Sequence, residues 1–126
     1  MRFAHAEHRA RMKEAMKAAK AVSPSGWLDR EYAAALFILT GMEWTWPRLK
    51  PYTGERYIDC EGMLKDLHLS KGEELLVSLA GNLFNGRTYS SFQPIDLIDV
   101  LDDEMLQLAI TGFALRRSDT SLAAFE

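Results

Sequence analysis

The sequence predicts an all-α fold: a compact single-domain helical bundle of five to seven helices with an irregular aromatic-rich loop. Three observations carry this. Apolar residues recur at steps of three and four, most cleanly at positions 75, 76, 79, 80, 83 and 84. Helix-capping signals mark where segments begin and end. The chain has 126 residues, 48% of them hydrophobic, with no internal repeat, which suits one core and is too little for two.

The first segment, 3–22, is rich in Ala, Lys, Arg, Glu and Met, all good helix formers. His5, His8, Met12, Ala15, Met16, Ala19 and Val22 share one helical stripe, and Arg2, Arg9, Lys13, Lys17 and Lys20 gather on the opposite face. Ser23-Pro24-Ser25-Gly26 ends it, giving a basic amphipathic helix within residues 1–23. Asp29 is the predicted N-cap of a second helix reaching Thr40, whose centre, Tyr32 to Leu39, is apolar all round and therefore belongs inside a core. Gly41 is expected to close it as a left-handed cap.

Residues 42–58 read as the irregular loop, with Trp44, Trp46, Tyr52 and Tyr57 among Pro and Gly, and Arg56 to Asp59 as a candidate short strand. A brief helix follows from Asp59 to Leu67. Ser70-Lys71-Gly72-Glu73 fits a capping box, so Ser70→Ala is expected to cost about 0.5–2 kcal/mol and Glu73→Ala less. Asn85-Gly86 ends that helix, Pro94 opens a two-turn helix, and Asp102 caps a last one that ends at Arg116 and Arg117. Residues 118–126 read as a tail. Leu36, Phe37, Leu76, Leu79, Leu83, Ile98, Leu106, Ala109 and Phe113 are the expected core.

Composition narrows the setting. The longest apolar run is far short of the roughly 20 residues of a membrane span, so no membrane contact is expected. Arg2 precedes a charged segment rather than the apolar stretch of a secretory leader, and the single Cys60 cannot form an internal disulfide. A cytoplasmic protein is the expectation. Net charge is −3, but residues 1–23 carry +4 and the remainder −7, which suits a basic arm that meets an anionic partner or an acidic surface.

No catalytic signature is present: no nucleophile elbow, P-loop or dinucleotide fingerprint. His5-x-x-His8 has a chelating spacing, yet His68 is the only other histidine and both lie on the apolar stripe, so they read as packing residues. Asp96, Asp99, Asp102, Asp103 and Glu104 are explained by helix N-termini rather than by a cation. No metal and no cofactor is expected. Two binding candidates remain. Arg9, Lys13, Lys17 and Lys20 could lie along an anionic partner. Trp44, Trp46, Arg48 and Tyr52, interleaved aromatic and basic, have the composition of a stacking platform for single-stranded nucleic acid, and equally of a loop pinned by its rings.

The run Leu79-Ala80-Gly81-Asn82-Leu83-Phe84-Asn85-Gly86 resembles the most recognisable stretch of a small uncharacterised family of short proteins from Firmicutes genomes, often from phage-like or conjugative elements. The likeness continues through Pro94-Ile95-Asp96-Leu97 and Leu101-Asp102-Asp103-Glu104, with an echo in Ala35 to Gly41. It implies a fold and a genomic setting, and carries no activity and no functional residue.

The expected function is therefore that of a non-catalytic helical protein acting through protein–protein contact, an accessory of a mobile element. The alternative is a nucleic-acid-binding module using the basic helix and the aromatic loop. A homodimer is expected, with the 5-8-12-15-19-22 stripe as its seam.

Overall fold

The computed structural model describes residues 1–125 and shows a mostly helical domain. Its elements are α1 (His8–Ala18), α2 (Arg30–Gly41), α3 (Trp46–Leu49), a 3-10 turn (Lys50–Tyr52), β1 (Thr53–Gly54), β2 (Tyr57–Ile58), α4 (Cys60–Asp66), α5 (Lys71–Asn85), α6 (Pro94–Val100), α7 (Asp103–Arg117) and a closing 3-10 turn (Leu122–Phe125). The two strands pair antiparallel, Thr53 opposite Ile58 and Gly54 opposite Tyr57. No helix among the described residues is long and apolar enough to cross a membrane.

The all-apolar α2 is the central element, packed against α7, α5 and α1. Ten of its twelve residues, Tyr32 through Gly41, are buried. Gly41 is not a left-handed cap but the last helical residue. A Cβ there would run into the Leu108 side chain and the His8 ring, so glycine is required by the close approach of α7 and α1. The left-handed cap does occur at Gly86, with φ of 78°, at the end of α5.

The first helix is shorter than its composition predicts. Residues 3–7 stay outside it because Phe3 is drawn into tertiary contact, its ring 5.9 Å from Phe37 and 5.7 Å from Phe125. At the other end, Lys20 takes a left-handed φ of 55°, and Ala21 N and Lys20 N donate back to Met16 O and Lys17 O. This is a Schellman closure with lysine in glycine's place. It is braced by Arg56, whose backbone N–H meets Ala19 O at 3.0 Å and whose guanidinium meets Lys20 O at 3.2 Å.

The stripe expected to form an intermolecular seam is instead core. His8, Met12 and Met16 are fully buried, with Ala15 and Ala19 beside them. Flexible methionines and small alanines let α1 lie close on α2, so the seam is filled within the chain. The expected tail is also packed. Leu28 N donates to Thr120 O, Leu122 N to Gly26 O, and Phe125 is buried against the N-terminal arm. Glu126, the last residue of that expected tail, lies outside the described residues.

At the head of α5 the capping box forms as read: Glu73 N donates to Ser70 Oγ and Ser70 N to Glu73 Oε1. Glu73 does more than close the box. It also accepts from the Thr45 hydroxyl and lies 3.5 Å from the Arg48 guanidinium. Partial burial pushes its carboxyl up, but these accepted bonds and the Arg48 charge outweigh it and hold the pKa below the ordinary carboxylate range. The expected order of effects therefore reverses. Glu73→Ala should cost about 2 kcal/mol against about 1 kcal/mol for Ser70→Ala, read from denaturant midpoints. Because the carboxylate is favoured in the folded state, its contribution is full above the unfolded pKa of 4.5 and fades as pH falls through the lower folded value. Wild type and Glu73→Gln should thus differ at pH 7 and converge in acid. A constant gap would contradict this.

Candidate functional site

The basic face is largely engaged with the chain itself. Arg9 lies over the Phe3 ring, 4.9 Å from its centroid, and Lys20 pairs with Glu55 at 3.0 Å. Lys13 is half-buried and Lys17 is exposed in the last turn of α1. Nearby, Glu14 is taken by Lys50 at 2.7 Å. Arg9, Lys17 and Lys20 are all exposed, since α1 packs on the body through its apolar stripe, and Lys17 is the cation most clearly turned to solvent.

The aromatic segment is the irregular part of the chain, and it carries short helices and a strand at Tyr57–Ile58. Short elements, α3 through β2, order most of it. Trp46 is buried, Arg48 donates to His68 O at 3.1 Å, and the half-buried Tyr52 donates its hydroxyl to Asp66 at 3.1 Å. Trp44, at 85% exposure, stands in solvent, as Tyr57 does more modestly. Two rings serve as pins and two as surface, so no array of faces is presented for successive bases.

The other chemistry-bearing residues have structural work. Cys60 is buried, and burial with the nearby Asp59 charge pushes its thiol up to about 12, so it supplies no thiolate near neutrality. Asp102 accepts from Met105 N, and Asp96 from Gln93 N, each at 2.8 Å. These bonds close the first turns of α7 and α6.

What the sequence reading missed is an apolar face on α6 and α7. Ile98 and Phe113, expected in the core, are 61% and 48% exposed, and Ile95 and Ile110 are exposed beside them. The correction has a simple cause. α7 is apolar on two sides: Leu108, Gly112 and Leu115 face α2, while Leu106, Ile110 and Phe113 fall on another side of the helix. Between that second side and α6 lies a groove of about 470 Å³, floored by Leu79 and Leu97 and edged by Ile98, Ile110 and Phe113. One signal was available: α7 has more apolar positions than a single stripe uses.

Charge along the same face is ordered. Asp103, Leu106, Ile110, Phe113 and Arg117 recur at steps of three and four, within about a quarter of the wheel at 100° per residue. The stripe thus begins with an acid, runs through three large apolar side chains and ends with a base. Asp103 and Arg117 are both exposed, and neither is in an ion pair among the described residues.

No family model matches the chain, and neither a curated protein nor a solved structure matches it.

Proposed function

We propose that this chain acts through protein–protein contact rather than catalysis, and that the α6–α7 face is its contact surface. The observation that supports this is the groove edged by three exposed large apolar residues, Ile98, Ile110 and Phe113, with Ile95 also exposed on α6. Its first occupant is a second copy of the chain. The stripe on α7 is self-complementary when two copies run antiparallel. With a twofold axis at Ile110, Asp103 of one copy faces Arg117 of the other, and Leu106 lies beside Phe113. The homodimer expected of this chain is thereby moved from α1 to α7.

Light scattering at micromolar concentration tests it. A mass of twice the 14.3 kDa chain is the expected result. A mass of one chain at about 100 μM, well above the dissociation constants of specific dimers, contradicts it. The setting implied by the family resemblance, an accessory of a mobile element in the cytoplasm, belongs to the same proposal and has the resemblance alone behind it. Nucleic-acid binding has less support, since Trp46 is buried and Lys20 is paired. Retention on DNA that survives at about 150 mM salt and is lost in an Arg9/Lys13/Lys17 to Ala variant would favour that reading instead.

A further inference from the structure

The N-terminal arm, residues 1–7, is not helical, yet it is fixed in place. Phe3 meets His8 edge-on with centroids 5.4 Å apart, and Ala4 N donates to His8 Nδ1 at 3.0 Å. His8 Nε2 meets the Phe37 carbonyl at 2.9 Å. Both nitrogens of His8 are thus used, and the pair His5-x-x-His8 does not chelate; its rings stack at 5.5 Å instead.

His5 is different. Its Nε2 meets the Thr40 carbonyl at 3.2 Å. A carbonyl only accepts, so Nε2 carries the proton and the neutral ring keeps its lone pair on Nδ1. The side chain is 7% exposed, and Nδ1 is the buried side-chain polar atom without a hydrogen-bond partner among the described residues. It points toward Glu7, whose Oε2 is 3.4 Å away. A lone pair on Nδ1 facing a carboxylate oxygen at that distance is bridged by a positive centre, either a proton on Nδ1 or a bound cation.

Glu43, two residues beyond the end of α2, supplies a third donor. Its backbone carbonyl is held by the Arg11 guanidinium at 2.7 Å, which leaves the carboxylate to turn toward the arm. One donor atom from each of His5, Glu7 and Glu43 lies within 4.8 Å of the others. Ligands at zinc bond lengths around a tetrahedron stand about 3.4 Å apart, so the His5–Glu7 spacing already fits, and Glu43 comes within reach by a side-chain adjustment.

We infer that His5 Nδ1, Glu7 and Glu43 form a binding site for a divalent first-row transition metal, with Zn²⁺ as its natural probe. One imidazole and two carboxylates are a borderline donor set, suited to Zn²⁺ and poorly suited to Mg²⁺, which prefers six oxygens. The surroundings favour a cation. The His5 Nε2–H bond to a backbone carbonyl is the outer contact that orients metal-bound imidazoles. The negative end of the α2 dipole lies at Thr40 and Gly41. A cavity of about 390 Å³ beside the site is lined by Glu73 and Glu104 as well as His5 and Glu43, which leaves room for a water ligand. The ion would tie the arm to the end of α2 and act as a clamp on the fold.

The test uses the untagged full chain after treatment with a chelator. Zn²⁺ titrated by calorimetry should bind one ion per chain, and Tm should rise by roughly 8 °C at a hundredfold excess over the dissociation constant. Glu43→Gln, a half-buried position that keeps its size, should melt close to wild type without metal and bind Zn²⁺ at least about tenfold more weakly. His5→Gln should do the same, and Mg²⁺ should give no comparable rise. Absence of a Zn²⁺-dependent shift in wild type overturns the inference, and leaves His5 and Glu7 as an ion pair. Unchanged Zn²⁺ affinity in Glu43→Gln and His5→Gln, or equal stabilisation by Mg²⁺, overturns it as well. None of these outcomes depends on dimerisation.

Discussion

Phe37→Ala is expected to lower the unfolding free energy by about 3–5 kcal/mol, the range for emptying a large aromatic site in a packed core. Phe37 is fully buried at the middle of α2, its ring 4.4 Å from His8 and 5.9 Å from Phe3. Losing it opens a cavity where three parts of the chain meet: the arm, α1 and the central helix. It also removes the surface on which Phe3 rests, so the arm should loosen with it. Equilibrium denaturation measures the first effect and amide exchange of residues 3–8 the second. A cost under about 1 kcal/mol would mean that α2 is not the centre of the fold.

The second large effect belongs to the surface. Phe113→Asp should convert the dimer proposed here to a monomer, weakening association at least a hundredfold, while leaving the chain folded. Phe113 is 48% exposed, so the substitution removes little from the core, yet it places a carboxylate in the groove that an opposing apolar side chain would enter. Loss of association with an unchanged Tm of the dilute monomer separates a contact residue from a packing residue. A collapse of Tm by more than about 10 °C would return Phe113 to the core after all.

Much of the fold was legible because its signals are local. The Ser70–Glu73 box, the Asp102 cap and the left-handed Gly86 each depend on three or four neighbouring residues. So does the short helix after Asp59, whose carboxylate accepts from Gly62 N at 2.9 Å. The central place of α2 followed from eight apolar residues in a row. What escaped depends on residues far apart in sequence. Nothing near Gly41 announces that Leu108 and His8 press on it, and nothing near Phe3 announces Phe125. The same holds for the tail, which looks featureless until Leu122 pairs with Gly26.

The two sites were harder still. On α7, apolar residues point both to the core and to solvent, and helical spacing alone does not say which side meets α2. Phe113 falls on the side that faces solvent. For the N-terminal cluster, the sequence offered His5 and His8 as the pair because they are three residues apart. The structure brings Glu43, thirty-eight positions away, within 4.8 Å of His5 and Glu7, and gives His8 to backbone groups. The weak helical pull of residues 3–7 lost to the burial of Phe3, and that loss is what puts His5 beside the end of α2.

The antiparallel pairing of α7 with its own copy is tested most directly by exchanging the charges at the ends of the stripe. Sedimentation equilibrium is the measurement, on Asp103→Arg, on Arg117→Asp, and on the chain carrying both. Each single change sets like charges opposite each other at both ends of the seam and should weaken the dimer about tenfold or more. The double change restores opposite charges across the twofold axis and should recover most of the wild-type affinity. A double variant that associates no better than the singles, or a wild-type chain that remains monomeric throughout, would contradict the account.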